Sequence, residues 1–93
     1  MNTELRKITN AIAASCNSKC VGLLQYIHDA WNWEYDRDTM ELEVNLQIHR
    51  SVLTMLNFRK FEGAKIVDGC CDGEYEIILV VFKLIRPFPL LSE

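Results

Sequence analysis

Four cysteines are the residues in this 93-residue chain best suited to chemistry. Cys16 and Cys20 stand at C-x3-C spacing, within the range used by structural zinc sites, and Cys70-Cys71 could supply two further thiolates. A tetrahedral site would then span the chain from its first helix to a late strand. Adjacent cysteines fit the second half of such a site poorly, because neighbouring side chains in a strand point to opposite faces. Free cysteine also behaves as a small hydrophobe that cores take up readily. The sequence therefore favours plain thiols and no cofactor. A thiol- or zinc-containing regulatory module built on Cys16, Cys20, Cys70 and Cys71 is the alternative.

Other constellations carry less. Asp36-Arg37-Asp38-Thr39 reads D-x-D-T, one residue short of the D-x-D-x-T pattern of phosphoryl-transferring aspartate nucleophiles, and nothing before it reads as the buried parallel strand such an aspartate needs. Glu41 and Glu43 fall about 7 Å apart on one strand face, a distance at which two carboxylates can divide acid and base roles. A solvated face gives neither the burial that would raise its pKa. His28 and His49 are the two histidines, and neither has a thiol beside it in sequence. Walker, G-x-G-x-x-G and H-E-x-x-H patterns are absent. These readings predict a protein without enzymatic activity.

Aromatic residues and acids are interleaved between positions 29 and 43. Six acids (Asp29, Glu34, Asp36, Asp38, Glu41, Glu43) meet Arg37 alone, around Trp31, Trp33 and Tyr35. Tryptophan and tyrosine supply large contact areas at binding hot spots, and the acids can steer a basic partner. Trp31, Trp33, Tyr35, Asp36 and Asp38 are accordingly the candidate partner-binding residues. The bland alternative is that one or two of the rings close the core. A net charge of −3 argues against nonspecific nucleic-acid binding, which needs surplus Lys and Arg.

The elements that must position these residues follow from periodicity. Leu5, Ile8 and Ile12 at helical spacing predict a helix over 3–16, with Asn2 or Thr3 as its cap. Ser18 can cap a second helix over 19–30, whose stripe is Cys20, Leu23, Leu24, Ile27 and Trp31; a single bent helix through Asn17-Ser18 is the alternative. Residues 33–39 read as a connection. Leu42, Val44, Leu46 and Ile48 alternate with polar residues and predict a strand over 41–49 with one dry face. Residues 50–57 suit a short helix. Asp72-Gly73, a favoured type I′ turn, joins strands over 64–71 and 74–86, and Asp68-Gly69 marks a second turn or a bulge. The expected fold is a single α+β domain: two N-terminal helices on a small antiparallel sheet of about three strands, with a short helix before a C-terminal hairpin.

The run Ile77-Ile78-Leu79-Val80-Val81-Phe82 puts apolar side chains on both faces of its strand. Helices can cover one face; the tail Pro87-Phe88-Pro89-Leu90 or another chain must cover the other, since large exposed apolar patches are rare on monomers. The sequence predicts a homodimer, with Val81, Phe82, Phe88 and Leu90 at its interface. No segment reads as a signal peptide or membrane span, which predicts a cytoplasmic protein, in a host cell if viral. The expected function is that of a small accessory or inhibitor protein, of a type common in phages and viruses. It would dock on a basic protein partner, with no membrane or nucleic-acid role.

Overall fold

The computed structural model describes residues 3–52 and 63–90. Two helices, α1 (Thr3–Ser15) and α2 (Ser18–Leu24), precede four strands: β1 (Ile27–Asp36), β2 (Glu41–His49), β3 (Ala64–Asp72) and β4 (Tyr75–Lys83). The strands form one antiparallel sheet in the order β1-β2-β4-β3. The α+β class agrees with the periodicity; the described residues form a sheet of four strands rather than three. The expected helix over 50–57 begins at 50–52, and its remainder lies outside the described residues.

The additional strand is β1. Residues expected to extend the second helix and to connect it onward are strand from Ile27 to Asp36, and α2 stops at Leu24. Two register shifts explain the mismatch, one between Ile27 and Asp29 and one between Trp31 and Glu34. Each bulge puts an extra residue into the strand and breaks the two-residue alternation that identifies one. Asn32, at the second bulge, has φ 53°, and asparagine tolerates that left-handed conformation better than most residues.

Helices α1 and α2 cover the same face of the sheet. Leu5, Ile8, Ala11 and Ile12 of α1, with Cys20, Leu23 and Leu24 of α2, bury against Leu42, Val44, Leu46 and Ile48 of β2 and Ile78, Val80 and Phe82 of β4. Burial alternates strictly along β2 and through the second half of β4, so the odd-numbered residues of both strands face away from the helices.

The segment after β4 closes the same side. The Ile85 and Arg86 amides donate to the Ser15 carbonyl at 2.8 and 3.2 Å, and the Arg86 guanidinium donates to the Ala14 carbonyl at 3.2 Å. These bonds satisfy carbonyls left over at the C-terminus of α1 and place a cation at the negative end of its dipole. Phe88 then inserts beside Trp33 and Tyr35, with ring centroids 5.2 and 5.7 Å away, and is only 3% exposed.

The β3–β4 hairpin pairs Asp72 with Tyr75, so its two-residue loop is Gly73-Glu74, one position later than expected. Gly73 has φ 63°, and no positive φ is found at Glu74. A glycine at the first central position alone is the type II′ pattern rather than type I′. Asp68-Gly69 lies beside a bulge between Ile66 and Asp68, not in a turn. No helix among the described residues is long and apolar enough to cross a membrane.

Candidate functional site

The face of the sheet turned away from the helices has no described element over it. Across β4 it carries Tyr75, Ile77, Leu79, Val81 and Lys83, which pair with His49, Gln47, Asn45, Glu43 and Glu41 of β2. Beyond β2 come Asp29, Trp31, Glu34 and Asp36 of β1; beyond β4 come Lys65, Asp68 and Cys70 of β3. Ile77, Leu79 and Val81 are half-buried by these neighbours. They make an apolar stripe one strand wide with polar residues on both sides.

One end of this face is strongly acidic. Glu34 stands directly opposite Glu43, and Asp36 opposite Glu41. Like charges directly opposed across a strand pair destabilise a sheet, so stability does not account for this arrangement. With Arg37 and Val81, the four carboxylates line a shallow cavity of about 420 Å3. Lys83 offsets Glu41 from the other side. The Asp36 carboxylate also shapes the turn into β2, because it accepts from the amides of Asp38 and Thr39 at 2.9 and 3.4 Å. That is an Asx turn, and it gives Asp36-Arg37-Asp38-Thr39 a structural role.

The structure divides the residues expected to form one binding patch. Trp33 and Tyr35 pack against the core and Phe88. Trp31 pairs with Asn45, is half-buried, and lines a cavity of about 210 Å3 at the β1 edge. Asp36 is exposed on the open face, and Asp38 is exposed in the turn. Glu34, Glu41 and Glu43 join Asp36, and only strand pairing brings them together. The residues expected at an oligomer interface separate too. Phe82 (0% exposed) and Phe88 (3%) are buried in the chain's own core, and Leu90 packs against it. Val81 alone of the four faces outward, beside Ile77 and Leu79, which sequence reasoning assigned only to a two-faced strand.

The cysteines do not converge. Cys16 and Cys20 are buried where α1 meets α2, and Cys20 makes a side-chain hydrogen bond to Cys16. A Cβ placed on Gly63, next to the start of β3, would lie 3.4 Å from the Cys20 sulfur. Cys70 is exposed on the open face near the other end of β3, opposite Ile77, about 20 Å further along the strand. The side chain of Cys71 lies outside the described ones. No group of three or more His, Cys, Asp or Glu that could hold a metal occurs among the described residues. Burial raises the Cys16 thiol above its ordinary 9.0, against smaller opposing hydrogen bonds from its backbone and from Cys20. Its contribution to stability is therefore fully present below about pH 9 and is lost as pH rises through the folded-state value.

Thiol labelling should separate these classes. A maleimide at neutral pH is expected to modify Cys70 at the rate of a free thiol, and Cys16 and Cys20 at least about 100-fold more slowly, because they react only through opening. Peptide mapping by mass spectrometry assigns each site. Rapid labelling of Cys16 in the folded protein would contradict its burial.

Both histidines lie against Tyr75. The rings of His28 and His49 lie 4.6 and 5.5 Å from the Tyr75 ring, and His49 Nδ1 contacts the Ser51 hydroxyl at 2.8 Å.

The sheet edges are poor docking sites. Both edge strands, β1 and β3, carry register shifts, whereas β2 and β4 pair through nine consecutive positions without one. Bulged edges resist the addition of another strand, which leaves the face as the flat surface among the described residues. Comparison with known proteins finds no matching family model, no matching curated protein and no matching solved structure.

Proposed function

We propose that this chain is a non-enzymatic interaction protein, of the accessory or inhibitor kind, that docks on a protein partner through the open face of its sheet. The observation that carries this reading is the absence of any described element over a face whose centre is Ile77, Leu79 and Val81. Apolar side chains in the middle of a polar rim are the anatomy of a binding surface. The opposed carboxylate pairs support it further, since they cost stability where they stand and become favourable under a basic partner.

A second copy is the less favoured occupant. Two such faces placed together would bring Glu34, Asp36, Glu41 and Glu43 of each copy into one interface, with Lys65 and Lys83 as the lysines that offset them. The separation of Cys16 and Cys20 from Cys70 likewise weighs against a four-thiolate zinc module.

The test starts from a partner recovered with the wild-type chain from its native source, then purified and titrated back. Leu79→Lys is expected to weaken that complex at least about 100-fold, as loss of a central contact does, while Lys7→Glu on helix α1 leaves it within about twofold. Circular dichroism confirms that both variants are folded. Equal binding by Leu79→Lys and wild type would remove the open face from consideration.

A further inference from the structure

The open face differs from an ordinary sheet-packing face in the width of its apolar strip. Ile77, Leu79 and Val81 lie along β4 alone; the flanking strands present Glu43, Asn45 and Gln47 on one side and Lys65, Asp68 and Cys70 on the other. A second sheet needs apolar residues on several adjacent strands, because its own inner face is several strands wide. A helix needs a single narrow stripe. Successive outward residues of β4 are about 6.7 Å apart, and residues four apart on a helix rise about 6 Å, so anchors one turn apart stay near step over three contacts.

The charges say what flanks that stripe on the visitor. The side of the strip towards β2 and β1 holds Glu34, Asp36, Glu41 and Glu43, so a visitor with lysine or arginine beside its apolar stripe gains attraction, and an acidic one is repelled.

We propose that the occupant of the open face is a basic amphipathic helix of a partner protein. It lies along β4 with its apolar stripe on Ile77, Leu79 and Val81 and its Lys or Arg side chains over the carboxylates of β1 and β2. This rests on reading that face as the docking surface and adds the secondary structure and charge of what binds there.

Three synthetic peptides of about 18 residues, long enough to follow β4 at the helical rise, make the test. The first places leucine at helical i, i+3, i+4 and i+7 spacing with lysine between. The second replaces its lysines by glutamate, and the third scrambles the first, which keeps the charge and destroys the stripe. Each is titrated into the isotope-labelled chain at low and moderate salt, with sedimentation of the free chain over a range of concentrations. The Leu/Lys helix is expected to bind at least tenfold more tightly than either control, to weaken as salt rises, and to shift the amides of Glu43, Leu79 and Val81. Glu43→Lys is expected to lose about tenfold in that affinity. It turns the Glu34–Glu43 opposition into an attraction, so its melting point stays at or above that of the wild type.

Equal affinity for the scrambled peptide would overturn the helix, and equal affinity for the glutamate peptide would overturn the charge; in both cases the face would still be a docking surface. Concentration-dependent dimerisation abolished by Leu79→Lys would identify a second copy as the occupant, again sinking this inference and keeping the docking reading. A monomer that binds none of the peptides, or shifts confined to α1 and α2, would overturn both.

Discussion

Phe82→Lys is expected to leave the chain unfolded, while Val81→Lys, one residue away, is expected to fold normally. Phe82 is 0% exposed beneath the helices. Removing a buried phenylalanine costs about 3–5 kcal/mol, and a buried, unpaired ammonium costs several more. A domain of this size has about 5–14 kcal/mol of stability in all, so the combined penalty reaches most or all of it. Val81 projects from the other face between Glu43 and Lys65. A lysine there keeps its head in water and meets a carboxylate, so the change should stay within about 1 kcal/mol, or some 4–8 °C in melting temperature. Circular dichroism and thermal melts of the two variants provide the comparison. A folded Phe82→Lys or an unfolded Val81→Lys would reverse the assignment of faces.

Phe88→Ala tests whether the segment after β4 belongs to the core. The ring meets Trp33 edge-on at 63° and Tyr35 at 44°, so its removal deletes apolar burial and two aromatic contacts together. The expected cost is about 3–5 kcal/mol, a fall of at least roughly 12 °C in melting temperature. In a Trp31→Phe background, Trp33 fluorescence should shift to longer wavelength as its neighbour disappears, and Phe88→Leu should recover part of both effects. An unchanged melt would mean that residues 84–90 rest on the domain without closing it.

How legible this fold is in the sequence depends on regularity. Strand β2 matches its expected bounds residue for residue because Glu41 to His49 alternates without interruption. Helix α1 is equally clear, since its apolar positions repeat at helical spacing and its buried set includes Leu5, Ile8 and Ile12. Strand β1 is hidden for two reasons that reinforce each other. Its bulges break the alternation, and Cys20, Leu23, Leu24, Ile27 and Trp31 happen to continue the stripe of α2 past its real end. The site is harder still. Glu34 and Glu43 are nine positions apart in sequence, and their opposition exists only through a register that includes a bulge. Trp33 and Tyr35 turn inward through the register that sets Tyr35 opposite Leu42, and the Phe88 ring they meet is more than fifty residues away. The two dry faces of β4 are readable. The cover of one by α1 and α2, and the absence of any described element over the other, require the sheet order.

That sheet order governs how the chain is made as well as how it stands. Strand β4 is the last to be synthesised, yet it occupies an interior position between β2 and β3. A nascent chain that has emerged only as far as β3 holds the β1–β2 hairpin with one side unpaired, and β3 has no neighbour to join. The sheet therefore cannot assemble progressively from the ribosome; it forms in a late step, when β4 inserts and Phe88 follows it. Until then Leu42, Val44, Leu46 and Ile48 lack half of their final sheet, and the interval is one in which a holding chaperone has apolar strand to bind.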